Sequence, residues 1–385
     1  MIIPYGKQEI DEEDIESVIG VLKSKFITQG EAVPKFEKVI SSYCGSNYAL
    51  AVNSATSALH LACRSLNLSS GDIVWTSTIS FVASANCALY CGAKVDFVDI
   101  DPLTYNLDPK KLKEKLIKAQ EENCLPKILI VVHLCGQPCD LRSIWELSVD
   151  FNFQIIEDAS HALGAKYNSF LIGDCKYSSI TIFSFHPVKM ITTGEGGIAL
   201  TNNEEIYEKM KLLRSHGITR DPDLMSSKKE GPWYYQQIDL GYNYRMTDLQ
   251  AALGISQLKK LNTFIDKRTK LAQRYKENLL SSKIQHPSLM EDASSSWHIY
   301  VIRIKQININ KKKQIFEYLI NNGIGVNLHY IPIHLHPFYQ KMGFFKGQFP
   351  ESEKYYEEAI TLPIYPSLNF EDQNKIIETL LNFNL

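Results

Sequence analysis

The chain has 385 residues, of which 44% are hydrophobic and 22% charged, a composition typical of a folded protein with room for a large unit and a smaller one. The formal net charge of −2 offers no global attraction to nucleic acid or to an anionic membrane, so neither is expected as a partner. The chain contains no run of eighteen apolar residues, so no membrane span is predicted. The early acidic stretch EIDEED argues against a signal peptide, and the two observations together predict a cytoplasmic location.

Between about residues 48 and 215, short apolar runs alternate with amphipathic stretches. The candidate strands are Ala49–Val52, Ile73–Thr76, Val95–Asp99, Ile128–His133, Gln154–Glu157, Ile180–Phe185 and Gly197–Thr201. The candidate helices are Ser54–Leu66, Phe81–Cys91, Pro109–Ala119, Arg142–Asp150 and Glu204–Ser215. Strands joined by helical crossovers predict an α/β fold with a mostly parallel sheet that is covered on both faces.

The second half of the chain begins with a loop punctuated by Gly and Pro, residues 221–235. A long helix is predicted from Thr247, whose hydroxyl can cap it, to about Leu280. A smaller α+β unit is predicted after it, with strands Ile299–Ile304 and Val326–Tyr330, a helix over Lys311–Asn321 and a final helix after Asn369. We therefore expect a large unit of residues 1–245 and a small unit of residues 246–385.

Eight cysteines are present, with no CxxC pair and no histidine pair at zinc-finger spacing. They predict buried free thiols and no metal site. The basic run Lys311-Lys312-Lys313 is interpreted as the solvated start of a helix.

The segment from Thr181 to Gly197, TIFSFHPVKMITTGEGG, is the most informative for chemistry. Lys189 follows a β-rich run and precedes a glycine-rich turn, which lets the backbone approach a planar ligand closely. A lysine in a sheltered pocket can act as a nucleophile and as a base, whereas a lone surface lysine would be a solvated charge.

Asp158 ends an apolar strand, at the place where open α/β sheets bind ligands. A carboxylate there can keep a pyridine nitrogen protonated, so that the ring withdraws electrons; the alternative is that Asp158 caps a helix. His161 follows three residues later, and can donate to a phenolic oxygen of a ligand or satisfy a backbone carbonyl.

Small and hydroxyl-bearing residues mark the junction of the first strand and the first helix, in the segment NSATSAL. Free amides and the helix dipole make such a helix start a site for anions, and this segment together with Ser184 would form a phosphate cup; simple helix capping is the alternative. Phe81 lies just past the second strand and can stack on a flat ring or pack in the core.

These motifs, in this order, resemble the DegT/DnrJ/EryC1/StrS aminotransferases, which are fold-type I pyridoxal-phosphate enzymes. The resemblance covers essentially the whole chain. It runs through TQG (28–30), NSATSAL (53–59), EDASHALGA (157–165), SFHPVKMITTGEGG (184–197), LRSHGITRD (213–221), LGYNYRMTDLQAALG (240–254) and LHYIPIHLHPFY (328–339). It implies a large domain with a seven-stranded sheet and an N-terminal arm that contacts the substrate, and a smaller C-terminal domain.

The resemblance also implies roles for individual residues. Lys189 matches the Schiff-base lysine, Asp158 the partner of the ring nitrogen and His161 the neighbour of the phenolic oxygen. Cofactor contacts are implied for Phe81, stacked on the ring, for Ala55, Thr56 and Ser184 at the phosphate, and for Asn243 at the phosphate of the neighbouring subunit. The positions that match substrate contacts are Tyr5, Lys25, Thr28, Asn243, His329 and Tyr330. Some family members have histidine in place of the lysine and are dehydratases, but position 189 is lysine here.

The implied activity is the transfer of an amino group from L-glutamate to a nucleotide-linked keto-sugar, in a homodimer with shared active sites. The segments TISFVASAN, FSFHPVKMITTGEGG and RSHGITRDP with GPWYY are similar to the branch that aminates C4 of a 4-keto-6-deoxy UDP-N-acetylhexosamine on the route to pseudaminic acid. The alternatives are amination at C3 or C4 of another nucleotide keto-sugar, and a pyridoxal-phosphate-binding regulator without turnover. A nicotinamide-dependent oxidoreductase is disfavoured because no GxGxxG opens a first βα unit.

Overall fold

The computed structural model describes residues 2–227 and 230–383. Its strands are β1 (Tyr48–Val52), β2 (Ile73–Ser77), β3 (Lys94–Val98), β4 (Ile128–Val132), β5 (Gln154–Asp158), β6 (Lys166–Tyr167), β7 (Phe170–Leu171), β8 (Ile180–Ser184), β9 (Gly197–Thr201), β10 (Ile218–Thr219), β11 (Gln236–Gln237), β12 (Ile284–Gln285), β13 (Ala293–Ser294), β14 (Tyr300–Ile304) and β15 (Ala359–Leu362). Its α-helices are α1 (Glu12–Leu22), α2 (Ala32–Cys44), α3 (Ala55–Ser65), α4 (Ala83–Tyr90), α5 (Pro109–Glu121), α6 (Leu141–Phe151), α7 (Glu204–Arg214), α8 (Asp248–Leu258), α9 (Leu261–Asn278), α10 (Ile309–Asn321), α11 (Pro337–Gln340), α12 (Pro350–Glu358) and α13 (Phe370–Asn382).

A seven-stranded sheet forms the centre of the large unit, in the order β1-β9-β8-β5-β4-β2-β3. The pairs from β8 to β3 are parallel, and only β9 runs opposite to both of its neighbours. In β4, Leu129 and Val131 enter one apolar cluster and Ile128 and Ile130 the other, so the sheet has a core on each face. The predicted mostly parallel α/β sheet is therefore confirmed.

Two helices precede the sheet, in a region for which the sequence analysis named no element. A capping box starts α1, because Asp11 accepts from the amide of Asp14 and Asp14 accepts from the amide of Asp11. Helices α1 and α2 both pack on α8. The boundary between residues 245 and 246 therefore places α8 apart from the helices that it contacts, and the domain division stays a prediction.

The single long helix predicted from Thr247 to about Leu280 is wrong, because two helices, α8 and α9, occupy this stretch. Thr247 does cap α8, and its hydroxyl accepts from the amide of Gln250. At the junction the amides of Lys259 and Lys260 bond to carbonyls three residues back, which tightens the turn and ends α8. The ammonium of Lys260 lies 2.7 Å from Asp14, which ties the junction to α1.

The small unit contains the three-stranded antiparallel sheet β12-β14-β15. The predicted strand Val326–Tyr330 is wrong: this segment makes one isolated bridge, from Asn327 to Thr361, and then leaves the sheet edge for a cavity of the large unit. The place beside β14 is taken by β15. Helices α10 and α13 lie close to the predicted ranges, and the side chains of Asn308 and Asn369 cap them.

The predictions for the cysteines and for the basic run have different outcomes. All eight cysteines are free, and six of them are buried while Cys91 and Cys124 are half-buried. The prediction of a solvated basic run is wrong for Lys312, whose side chain is buried and whose ammonium donates to the carbonyl of Tyr356. Burial lowers the pKa of Lys312 to about 8.

Within the described ranges, no helix combines the length and apolar character that crossing a membrane requires.

Candidate active site

A cavity of about 770 Å³ opens at the carboxyl ends of the central parallel strands, where α/β sheets bind ligands. Val132, Asp158 and Ser184 are the last residues of β4, β5 and β8, and all three line it. The opposite wall comes from the N-terminal arm and from the C-terminal unit, and consists of Tyr5, His298, Asn327, Leu328, His329 and Tyr330.

Lys189 lines this cavity and follows Ser184, the last residue of β8, by five positions. The residues after Ser184 leave the sheet, and the amide of Lys189 closes a turn by bonding to the carbonyl of His186 at 2.9 Å. Loss of hydration lowers the pKa of the Lys189 ammonium to about 8, although the negative charge of Asp158 opposes this shift. A substantial neutral fraction of the amine is therefore present near neutral pH.

The carboxylate of Asp158 is 5% exposed and is held through both oxygens. Ser84 on α4 donates to Oδ2 at 2.6 Å, and Ser160 donates to Oδ1 at 2.6 Å. The amide of Ser160 also donates to Oδ1, at 3.2 Å, but an irregular turn follows instead of a helix, so the helix-cap alternative fails. Sequence reasoning missed Ser84 and Ser160; a serine two residues after an aspartate is a turn signal that pointed to the latter.

His161 lines the same cavity and is held by residues from the C-terminal half of the chain. Its Nε2 is 3.1 Å from the hydroxyl of Tyr330, and its Nδ1, also buried, has no partner among the described residues. Burial lowers the pKa of His161 well below its usual value, and the nearby Lys189 charge adds to this effect. The imidazole is therefore neutral at physiological pH.

The start of α3 forms another wall of the cavity. Ser54 caps the helix by accepting from the amide of Ser57 at 3.1 Å, and Ala55 and Thr56 line the cavity in the first turn. A side chain on Gly197 of β9 would place its Cβ 2.4 Å from the Ala55 nitrogen, so the strand passes the helix end closely only because this residue is glycine. First-turn amides lack partners inside a helix, and together with the helix dipole they favour a bound anion.

Aromatic residues surround the mouth of the cavity. Phe81 is 58% exposed, and its ring centroid lies 6.1 Å from that of Tyr330. Tyr5 reaches the site because the N-terminal arm pairs with the small unit, and its ring lies 5.4 Å from that of His329. The core-packing alternative for Phe81 is therefore wrong.

Three residues of the predicted site do not line this cavity. Lys25 lines a separate groove of about 520 Å³ beside α1, α2 and α8, and Thr28 is exposed in the same connection. Asn243 is exposed, and its backbone bridges to Ser215. The cavity of this chain thus gathers Tyr5, Ala55, Thr56, Phe81, Asp158, His161, Ser184, Lys189, His329 and Tyr330.

This donor set fits pyridoxal phosphate. The amine of Lys189 suits an aldehyde, and the fixed carboxylate of Asp158 suits a ring nitrogen. The start of α3 suits a phosphate, and the neutral imidazole of His161 suits a ring hydroxyl. The groups lie on different walls of one cavity, as a flat ligand with polar substituents requires.

Comparison with known proteins agrees with this geometry. The model of the DegT/DnrJ/EryC1/StrS aminotransferase family matches residues 8–381. A UDP-4-amino-4,6-dideoxy-N-acetyl-beta-L-altrosamine transaminase of Campylobacter jejuni is 39% identical over 383 residues, which cover 99% of this chain and 97% of the relative. The structure of Helicobacter pylori PseC, an aminotransferase involved in the biosynthesis of pseudoaminic acid, superposes with a TM-score of 0.91 at 34% identity and covers 99% of both chains.

A third similar protein bears on the cofactor. Spr1654 of Streptococcus pneumoniae, solved in a PLP form, superposes with a TM-score of 0.89 at 30% identity, covering 99% of this chain and 98% of that one. The same protein is also solved in a PMP form. The matched range, the full-length similarity and the site geometry agree, and the chain belongs to the DegT/DnrJ/EryC1/StrS aminotransferase family of pyridoxal-phosphate-dependent sugar aminotransferases.

Proposed function

We propose that this enzyme transfers an amino group from L-glutamate to C4 of a 4-keto-6-deoxy UDP-N-acetylhexosamine. The observation that carries the chemistry is Lys189, an amine with its pKa lowered to about 8 that shares one cavity with the fixed carboxylate of Asp158. Pyridoxal phosphate, when bound, supplies an aldehyde that reacts with amines and a ring that withdraws electrons. The protein residues have to bind, orient and transfer protons around it.

Lys189 has two tasks in this proposal. Its neutral amine would hold the cofactor through the aldehyde. When free, the same amine would be the base and then the acid that moves a proton during amino transfer. A pKa near the working pH suits both directions of proton transfer, because neither protonation state is strongly favoured.

Asp158, His161 and the start of α3 orient the cofactor in this proposal. Asp158 keeps the ring nitrogen protonated, since both of its oxygens are fixed by serine hydroxyls and the charge cannot turn away. The amides of Ala55 and Thr56, with the Ser184 hydroxyl, hold the phosphate. Phe81, at the mouth of the cavity, packs against the ring and limits the access of water.

The acceptor is inferred from the relatives. Those named as UDP-4-amino-4,6-dideoxy-N-acetyl-beta-L-altrosamine transaminases match this chain over its full length, and the PseC structure matches its fold. Tyr5, His329 and Tyr330 form the wall that faces Lys189, and we propose that they contact the sugar. L-glutamate is proposed as the donor from the same resemblance.

A homodimer with shared sites accounts for the residues outside the cavity. We propose that Asn243 reaches the cofactor phosphate of the neighbouring subunit, and that Lys25 and Thr28 contact substrate bound there. Asn243 is exposed, and the loop before it exposes Trp233 by 69% and Leu240 by 69%. Exposed apolar side chains of this size favour a covered surface.

Product analysis tests the activity. The enzyme is incubated with L-glutamate and a panel of 3-keto and 4-keto UDP- and dTDP-sugars, and the products are examined by NMR. We expect an amine at C4 of the 4-keto-6-deoxy UDP-N-acetylhexosamine, together with 2-oxoglutarate. An amine at C3, or turnover with dTDP-sugars alone, would change the proposed acceptor but leave the aminotransferase activity in place. Cofactor binding without any turnover on the panel would favour the alternative of a pyridoxal-phosphate-binding regulator.

A further inference from the structure

His161 is the residue on which the C-terminal part of the chain converges. The hydroxyl of Ser296 donates to its backbone carbonyl at 2.8 Å, and the ring of His298 packs against its imidazole with centroids 4.4 Å apart. The hydroxyl of Tyr330 lies 3.1 Å from Nε2. Three residues from one side of the cavity thus hold the backbone, the ring face and one nitrogen of a single histidine.

His298 is the cavity-lining member of this group to which the proposed function gives no role. It is 3% exposed and lines the cavity, and its Nδ1 has no hydrogen-bond partner within residues 2–227 and 230–383. A buried imidazole normally finds a partner for its polar edge. The ring of His298 packs instead against the ring of His161, in a tilted arrangement with an interplanar angle of 48°.

The backbone of His298 is anchored by an unusual buried cation. Arg268 on α9 is 1% exposed, and its Nη1 donates to the carbonyls of Trp297, His298 and Ile364, at 3.2, 2.9 and 2.9 Å. The same turn is pressed against the large unit at Gly136, where an added Cβ would come within 2.4 Å of the Ser296 hydroxyl. The ring of His298 therefore has little freedom to move away from His161.

We propose that His298 is a positioning residue: its anchored ring fixes the plane of the His161 imidazole, so that this side chain is presented to the ring oxygen of the bound cofactor. This inference rests on the proposed function, because it takes the cofactor to occupy the cavity. Tyr330, which also lines the cavity, holds Nε2 of the same imidazole, so the ring is fixed at one nitrogen by Tyr330 and at its face by His298. The role of His298 is exerted through His161.

Cofactor binding by the apoenzyme measures this role without turnover. The protein is freed of cofactor and titrated with pyridoxal phosphate, and the Kd and the visible absorption maximum of the complex are recorded. His298→Ala should raise the Kd about tenfold, a mid-range coupling for residues in contact, and should shift the absorption maximum. His298→Phe keeps a planar ring and should stay within about twofold of the wild type, since it is the ring that holds His161.

Three further variants make the test specific. His286→Ala is the matched control, because His286 is half-buried in the small unit, bonded to Tyr300 and Leu279 and outside the cavity; it should leave the Kd and the spectrum unchanged. In a His161→Ala background, His298→Ala should cause no further loss. His298→Leu keeps the bulk of the side chain without a planar ring, and should reproduce the loss if the alanine variant does not fold.

The contrary outcomes are distinct. Wild-type Kd and spectrum in the folded alanine or leucine variant would overturn the inference. So would a phenylalanine variant as weak as alanine, or an undiminished loss in the His161→Ala background. A wild-type protein that fails to bind pyridoxal phosphate would instead overturn the proposed function.

Discussion

The hydroxyl of Ser84 donates to Oδ2 of Asp158 at 2.6 Å, which ties the first turn of α4 to the last residue of β5. Ser80 lies 2.7 Å behind Ser84, and all three side chains are almost fully buried. A neutral donor on a charged acceptor is one of the stronger hydrogen bonds in proteins, at about 1.5–3 kcal/mol. Helix α4 thus fixes the orientation of Asp158, the residue proposed to hold the ring nitrogen.

Replacing Ser84 by Ala should lower kcat roughly tenfold or more, since the lost bond is worth ~1.5–3 kcal/mol if it is needed in the transition state. The KM for the sugar should change little, because Ser84 does not line the cavity. Ser148→Ala, on the outer side of α6, is the control and should behave as the wild type. Steady-state kinetics decide the matter; an unchanged kcat would show that Ser160 alone orients Asp158.

Replacing Asp158 by Asn should leave the cofactor bound but lower the rate by several orders of magnitude. The amide keeps the shape of the side chain but has no negative charge to hold the ring nitrogen protonated. Cofactor content is read from the absorption spectrum, and the rate from formation of 2-oxoglutarate. Near wild-type turnover would assign the ring nitrogen to another residue.

Replacing Lys189 by Ala should abolish transamination and covalent attachment of the cofactor. Within the described ranges Lys189 is the one lysine that lines the 770 Å³ cavity, so no other amine is placed to replace it. Mass spectrometry after borohydride reduction should find the cofactor on the wild type and on the exposed-site control Lys113→Ala, but not on Lys189→Ala. Steady turnover above a trace by the variant would contradict the assignment.

The rate at which the apoenzyme captures pyridoxal phosphate covalently should rise with pH through about 8. Burial lowers the pKa of Lys189 to about 8, so the amine is protonated and unreactive below that pH and neutral above it. An exposed lysine would show the same rise near ~10.4. Absorbance changes after mixing, followed from pH 6 to pH 10, give the midpoint; a midpoint near the value for exposed lysines would mean that the amine is hydrated.

Mixing two inactive variants should restore activity if sites are shared. Lys189→Ala lacks the nucleophile of its own site, and Asn243→Ala weakens the site of its partner, so in a mixed dimer one site carries both changes and the other none. Co-expression with different tags should recover activity in proportion to the mixed dimer. Mixed dimers without activity would place Asn243 in its own chain's site, and a monomer by light scattering would end the proposal.

The sequence predicts the parts of the site that follow from strand order. Asp158 ends an apolar strand at the edge where α/β sheets bind ligands, so its place in the crevice is predicted; Ser184 lies within the predicted strand Ile180–Phe185, and its place follows from the NSATSAL junction and the family resemblance. The predicted strand Val326–Tyr330 is wrong. Its apolar pattern suits a sheet edge, but residues 327–330 line the cavity instead.

The supporting contacts could not be read from the sequence, because they join distant positions. Ser84 bonds Asp158 across 74 residues, and Ser296 bonds the carbonyl of His161 across 135. No periodicity or local motif encodes such a pair. The break between α8 and α9 also has no sequence signal, because no glycine or proline marks it. It is accompanied by ion pairs from Lys260 to Asp11 and Asp14 at the start of α1, which are distant in sequence.

The glycine at position 197 has a consequence for redesign of this enzyme. Any larger residue there would meet the backbone of Ser54 and Ala55, so position 197, beside the proposed phosphate site, tolerates no side chain. Phe81, at 58% exposure on the rim, has no such constraint. Libraries aimed at new amine acceptors should therefore randomise the aromatic rim and leave the β9–α3 contact untouched.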